Sequence, residues 1–159
     1  YLQNVLDTAK QLDAYDSGRI YYYLGEYQKA YLALDEARDK GGADSYLYLG
    51  RAYAATGDYN YASSVYNNYL SKQGPNAEIY NELGLCEMAK KEYQNALAAF
   101  QAGKQIEGNS LMQTLCFNEI VAYEYLEDYQ QAEVLMNAYL QNYPDDQAAI
   151  REQQFLSTR

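Results

Sequence analysis

Four stretches of this chain carry one pattern in phase. Residues 49–62 read LGRAYAATGDYNYA, which is a helix, a turn and a second helix. Gly57 permits a left-handed turn and Asp58 is a helix-starting residue. Leu49, Gly50, Tyr53 and Ala62 are spaced so that small and large apolar groups face each other across two antiparallel helices. The same spacing returns in SGRIYYYLGEYQKA (17–30), LGLCEMAKKEYQNA (83–96) and EIVAYEYLEDYQQA (119–132), with displacements of 32, 34 and 36 residues between successive copies. A hairpin of this length cannot bury its apolar face alone, whereas stacked neighbours can. The periodicity therefore predicts an all-α array of about four helical hairpins.

These residues carry a resemblance to the tetratricopeptide repeat family. Its pattern is Trp-x2-Leu-Gly-x2-Tyr, then Ala-x3-Phe, then Pro. Tyr46, Leu49, Gly50, Tyr53, Ala62 and Tyr66 follow it, with Tyr in place of Trp and Phe. Tyr80, Leu83, Gly84, Ala96 and Phe100 follow it again, with Glu87 in place of the Tyr. Gly18, Tyr21, Ala30, Leu34 and Ala37 carry the first copy, and Tyr123, Ala132, Met136 and Pro144 the fourth, where Ile120 replaces the packing Gly. Each motif is degenerate, but four in phase are specific. The resemblance covers residues 11–144 and implies a right-handed α-α superhelix. In that reading residues 1–159 form a single solenoid domain with repeats at 11–42, 43–76, 77–110 and 111–144 and terminal helices at 2–10 and 145–157.

Punctuation along the chain places the helices. Leu2, Val5, Leu6, Ala9 and Leu12 keep helical spacing and predict an opening helix that covers the first full repeat. Asp13 is a cap for the next helix, with an unbroken helix through Asp13 as the alternative. Gly25-Glu26 turns the chain, and Gly41-Gly42 ends the return helix in a left-handed cap. Gly74-Pro75 is a strong breaker, and Asn76 caps the third repeat. The third return helix is expected to fade at Glu107-Gly108, with Asn109-Ser110 capping the fourth repeat. The fourth return helix should end near Tyr143-Pro144, and a terminal helix follows with Ala148, Ala149, Ile150 and Phe155 as its apolar positions.

Charge and composition narrow the function. The net charge is −10, and residues 111–159 hold eight acids against two Arg. Such a surface repels phosphate backbones and anionic membranes, so nucleic acid is not an expected partner. No apolar run approaches the roughly 18 residues of a membrane-spanning helix. Cys86 and Cys116 occupy motif slots and are read as two buried, unbridged thiols. There is no His for acid–base work, no His or Cys cluster for a metal, and no Gly-rich loop followed by Lys-Ser/Thr for a phosphate. The acid pairs Asp35-Glu36, Glu127-Asp128 and Asp145-Asp146 sit at helix ends or flanks, with nothing nearby to shift a pKa. The expectation is a protein without catalysis and without a cofactor. The chain opens with Tyr1 rather than Met and is rich in Tyr, Asn and Gln. That style suggests a piece of a longer bacterial protein, exported or lipid-anchored.

One helix face is left over. Residues at i, i+4 and i+7/i+8 gather Tyr15, Arg19, Tyr22 and Tyr23 in the first repeat, and Leu47, Arg51, Ala54 and Ala55 in the second. They gather Asn81, Leu85, Met88 and Ala89 in the third, and Phe117, Val121, Glu124 and Tyr125 in the fourth. A solvent-facing side should be mostly charged, and this one is aromatic and apolar. The resemblance implies that this face lines a concave groove holding extended peptides. Its expected lining is Tyr15, Arg19, Tyr22, Tyr23, Leu47, Arg51, Leu85, Met88, Phe117, Val121 and Tyr125. Arg19 and Arg51 stand one repeat apart and suit a carboxylate; the bland alternative pairs each with a nearby acid such as Asp16. The family's Lys and Asn clamp for C-terminal carboxylates is not reproduced, since Tyr15 and Arg19 stand at those positions. A protein or peptide partner is thus the first reading, self-association as a spacer in a larger envelope protein the second, and glycan binding on the Tyr faces a weaker third.

Overall fold

The computed structural model describes Asn4, Val5, Asp7 and residues 12–159. Most of the predicted opening helix at 2–10 lies outside the described residues. Among the described residues there are nine further helices: α1 (Ala14–Tyr23), α2 (Tyr27–Asp39), α3 (Ser45–Ala55), α4 (Tyr59–Gln73), α5 (Ala77–Ala89), α6 (Tyr93–Lys104), α7 (Met112–Tyr125), α8 (Tyr129–Asn142) and α9 (Gln147–Leu156). They fall into two compact units, Tyr1–Gly74 and Pro75–Arg159.

Each hairpin turns by the same hydrogen bond. The N–H of Glu26, Asp58, Glu92 and Asp128 donates to the carbonyl of Tyr21, Tyr53, Glu87 and Tyr123, at 2.9, 3.0, 2.9 and 3.0 Å. This closing bond requires a left-handed residue just before the donor. Gly25 and Gly57 supply it in the first two hairpins, at φ 75° and 84°. Lys91 and Glu127 supply it in the last two, at φ 64° and 61°, where a Cβ makes the conformation costly. Carboxylate and amide caps start five of the helices, while α2, α3, α6 and α7 begin without a side-chain cap. Asp13 accepts from the N–H of Asp16 at 2.9 Å, which settles the break before α1. Asp58, Asn76 and Asp128 accept from Tyr61, Ile79 and Gln131. Asp146 accepts from both Ala148 and Ala149.

One junction departs from the sequence reading. The third return helix, α6, ends at Lys104, before Glu107-Gly108, and α7 begins at Met112 with Leu111 rather than Asn109 or Ser110 at its cap position. Asn109 serves the loop instead: its Oδ1 accepts from the Leu111 N–H at 3.0 Å and its Nδ2 donates to the Ile106 carbonyl at 2.7 Å. An Asn side chain reaches its own turn as readily as a helix end, and here the turn holds it.

Within each hairpin a close approach sets the packing. A Cβ on Gly18 would lie 2.5 Å from Leu34, one on Gly50 2.3 Å from Tyr66, and one on Gly84 2.3 Å from Phe100. Tyr66 and Phe100 are fully buried as a result, and each contributes roughly 2–3 kcal/mol of apolar burial. In the fourth hairpin Ile120 takes the glycine's place, and the partner at the equivalent position is the flexible Met136, also fully buried. In the first unit Tyr31 stacks on Tyr53 at 4.2 Å, and Tyr61 covers the same ring at 4.3 Å. Burial there pushes the Tyr53 phenol up to about 12. Tyr69 lies edge-on to Tyr46, and Tyr139 is buried with its hydroxyl donating to Asp146 at 2.6 Å. These return-helix tyrosines are therefore packing groups.

The cysteines differ. Cys86 is buried, and burial pushes its thiol up to about 12. Cys116 is only half-buried, contrary to the expectation of two buried thiols. It stands where Tyr46 stands in the second hairpin, and the smaller side chain leaves space. A cavity of about 550 Å3 opens beside it, lined also by Lys104, Glu119 and Tyr139. Lys104 and the buried Glu119 form an ion pair at its edge, and Gln101 donates to the other Glu119 oxygen at 2.9 Å. Both cysteines are free.

Candidate functional site

In the first unit the predicted face closes into one cluster. Helix α1 contributes Tyr15, Arg19, Tyr22 and Tyr23 on adjacent turns, and α3 contributes Arg51 together with Tyr48. Tyr48 is the centre. Its ring lies edge-on to those of Tyr15, Tyr22 and Tyr23 at 6.2, 5.8 and 5.9 Å. Arg19 lies over it at 5.2 Å and Arg51 at 5.6 Å, so one ring carries two guanidinium groups. Arg19 also lies 5.4 Å from the Tyr15 centroid. The Tyr23 and Tyr48 hydroxyls share a hydrogen bond at 3.1 Å, while Tyr23 stays 68% exposed.

The electrostatics follow from this crowding. The Tyr48 hydroxyl beside Arg19 raises the arginine's pKa further, so its charge is fixed. The hydrogen bond to Tyr48 raises the Tyr23 phenol, and burial raises that of Tyr15. Arg19 Nε is shielded from solvent and has no hydrogen-bond partner. Arg19 also forms an exposed ion pair with Asp16 one turn away at 3.7 Å, the pairing that the alternative reading expected, at a distance longer than a hydrogen bond. Leu47 is half-buried on the same helix as Arg51, Ala54 is half-buried and Ala55 is exposed.

Tyr48 was not among the residues expected from sequence. The pattern selected Leu47 and Arg51, four apart, yet Tyr48 is three before Arg51 and seven before Ala55, which is an equally good helical spacing. A count that weighed i+3 alongside i+4 finds it.

In the second unit the predicted residues disperse. Asn81 is buried and accepts from Asn118 Nδ2 at 2.9 Å, which ties α5 to α7. Met88 packs beside the core of Leu97, Phe100, Leu115 and Ala122. Phe117 turns onto the return helix, edge-on to Tyr139 at 5.7 Å, and lines a cavity of about 310 Å3 with Gln113, Asn118 and Asp146. Tyr125 stacks on Tyr93 at 5.0 Å. Leu85 is exposed and Val121 half-buried. Of this set, Leu85 and Tyr125 are exposed, and Met88, Phe117 and Val121 are half-buried.

A second polar feature lies at the far end of the fourth hairpin. Glu124, Tyr125, Glu127, Tyr129, Glu152 and Phe155 line a cavity of about 420 Å3. Burial, and then the Glu152 carboxylate, push Glu124 up to about 7. No local signal in the sequence joins residue 124 to residue 152; only the packing of α9 does. Among the described residues no group of three or more potential metal ligands occurs.

Tetratricopeptide-repeat models match residues 15–60 and 49–109, and a second such model matches 117–146. The chain belongs to the tetratricopeptide repeat family. No curated protein matches it. Solved structures do. MamA of Desulfovibrio magneticus RS-1, from residue 41 to its end, is 21% identical with a TM-score of 0.80, covering 96% of this chain and 85% of that one. MamA of strain AMB-1 is 23% identical with a TM-score of 0.73, covering 92% and 80%. The second tetratricopeptide-repeat domain of human RPAP3, solved with the HSP70 peptide SGPTIEEVD, is 16% identical with a TM-score of 0.61, covering 69% and 90%. At these identities the likeness establishes the fold, an all-α helical repeat. Domains of this family bind protein or peptide partners and are generally non-catalytic. No helix among the described residues is long and apolar enough to cross a membrane.

Proposed function

We propose that this chain is a non-catalytic scaffold that binds a segment of another protein, and that the cluster around Tyr48 orients an acidic or C-terminal carboxylate of that segment. The observation that carries this reading is the placement of Arg19 and Arg51 on one tyrosine ring. Stacking on Tyr48 limits the rotamers of both side chains, so a carboxylate meets two pre-positioned donors at a smaller entropy cost. Tyr22, Tyr23 and Leu47 offer flat and apolar surface beside them, a combination typical of contact residues that carry binding energy. The RPAP3 domain supports the class of ligand, since the peptide it was solved with has acidic residues near its end. The donors differ, however: arginines on tyrosine stand here in place of the family's Lys and Asn clamp, so a chaperone tail is not the expected ligand. Leu85, Val121 and Tyr125 are the apolar surface that the second unit offers.

A peptide-array or pull-down screen tests this, with the chain beside an Arg19→Ala/Arg51→Ala variant of equal helicity by circular dichroism. The expected result is enrichment of acidic or carboxylate-terminated peptides by the parent and about tenfold weaker capture by the variant. Capture that ignores the substitution removes the site from this cluster and favours self-association or another surface.

A further inference from the structure

The cavity beside Cys116 stands where two other hairpins place a tyrosine ring. Tyr46 and Tyr69 are 23 residues apart in the second hairpin, and Cys116 and Tyr139 are 23 apart in the fourth. In the second, the Tyr46 ring is 5% exposed and lies edge-on to Tyr69 at 5.7 Å. In the third, the same spacing joins Tyr80 to Gly103, and a Cβ on Gly103 would lie 3.3 Å from the Tyr80 Cβ. The spacing therefore marks one contact between an inner helix and its return helix. The fourth hairpin keeps the return-helix ring, since Tyr139 is buried and lines the cavity. It lacks the inner-helix ring: Cys116 takes that position, and about 550 Å3 lies open beside it.

The wall suits a neutral ring. Met112, Ile120, Leu135 and Tyr143 supply apolar surface around Tyr139. Lys104 and Glu119, the two charged groups in the lining, pair with each other, and Gln101 donates to the second Glu119 oxygen at 2.9 Å. The Tyr139 hydroxyl donates to Asp146 at 2.6 Å and accepts from Gln113 at 3.1 Å, and Asn142 donates to the Ala138 carbonyl at 3.1 Å. A charged occupant would lose its water and find each counter-charge already taken, whereas an apolar ring gains by leaving water. The volume is that of a small-ligand pocket.

We propose that this cavity is a receptor for an aromatic side chain of a partner protein, which takes the place that Tyr46 holds in the second hairpin and lies edge-on to Tyr139. Such a ring contributes its buried area and, in addition, the edge-to-face attraction to Tyr139. The class of partner rests on the scaffold reading above. The site itself lies within Pro75–Arg159 and involves neither Arg19 nor Arg51. The Arg19→Ala/Arg51→Ala variant should therefore bind the probe as its parent does, and either assignment can fail alone.

The test is a titration with the capped tripeptide Gly-Phe-Gly, and separately with the same peptide carrying cyclohexylalanine, followed by the methyl NMR signal of Met112. Cyclohexylalanine keeps the size of the ring and removes its aromatic character. In the parent, the rate at which iodoacetamide alkylates Cys116 gives a second readout, with the buried Cys86 as the internal control. The expected result is saturable binding of the Phe peptide, about fivefold weaker for cyclohexylalanine, with slower alkylation of Cys116. Cys116→Tyr restores the ring that the second hairpin has; it should raise Tm by about 4 °C and abolish binding. Ala138→Phe, at the exposed rim of the cavity, should weaken binding at unchanged helicity, and decides the matter where Cys116→Tyr folds poorly. No saturable response, equal binding of the two peptides, or undiminished binding by Ala138→Phe would overturn the proposal. So would saturation by free toluene without any response to the Phe peptide, which would give the cavity to a small molecule. A concentration-dependent doubling of mass abolished by Cys116→Tyr would overturn it in favour of a second copy of the chain.

Discussion

The second and fourth hairpins share one spacing and meet its demands differently. In the second, Gly50 lets Tyr66 lie against the helix backbone, and Gly57 takes the left-handed turn. In the fourth, Ile120 faces Met136, and Glu127 takes the turn at φ 61°. Outside the core the contrast continues. Tyr48 of the second hairpin carries its own Arg51 and Arg19 of the first, whereas the fourth sets its glutamates, with Glu152 of α9, beside tyrosines. The repeat fixes where a side chain stands; whether the position serves packing, turning or binding depends on what stands there.

The core half of this contrast gives the largest expected effect. Gly50→Leu forces a side chain into space already held by a fully buried ring, and should cost about 3 kcal/mol or more, roughly 10 °C in Tm for a chain of this length. The reverse change at the matching position, Ile120→Gly, should cost a similar or slightly smaller amount for a different reason. It leaves a cavity beside Met136 and puts a Gly inside a helix, the second of which adds about 1 kcal/mol. Thermal melts of both variants decide it. A tolerated Gly50→Leu would mean that Tyr66 can move aside, and the close approach would not be what sets that hairpin's geometry.

The turns supply a smaller effect with opposite signs. Gly57→Ala should destabilise by about 1 kcal/mol, because a Cβ in the left-handed region clashes with the backbone. Glu127→Gly should stabilise by up to about 1 kcal/mol, reduced by the greater freedom glycine gives the unfolded chain. Urea midpoints of the two variants should therefore move in opposite directions. A parallel shift would show that the side chain of Glu127 contributes more to the native state than its backbone strain removes.

How much of this was legible in the sequence follows from the range of each interaction. Asp13, Asp58, Asn76 and Asp128 act on N–H groups three residues away, so a local reading finds them. The glycine–aromatic pairs are one hairpin apart, and the repeat itself reveals that distance. Asn109 was misplaced because two local structures compete for one amide, and sequence does not show which wins. Tyr48 fell between two helical spacings that are both valid. Phe117 packs edge-on against Tyr139 of the return helix, a contact between two helices that a count of positions along one helix does not show. The approach of Glu124 to Glu152 depends on the docking of α9, a packing event with no periodic signature.

That approach also yields the subtlest prediction, because its size depends on pH. The Glu124 carboxyl is raised from its ordinary 4.5 to about 7 in the folded chain. Below the ordinary value it is protonated in both folded and unfolded states and costs nothing. Between the two values the unfolded chain ionises while the folded chain keeps the proton, so stability falls as pH rises through this window; above about 7 the cost is complete. Glu124→Gln removes the titration and keeps the shape. The variant should match its parent at pH 4 and exceed it at pH 8 by about 1 kcal/mol, a figure already reduced for solvent screening at a half-exposed site. Urea midpoints at pH 4, 6 and 8 would show a gap that opens with pH. A gain of equal size at every pH would place its origin in packing rather than in charge, and the cavity would lose the electrostatic bias that distinguishes it from the arginine cluster around Tyr48.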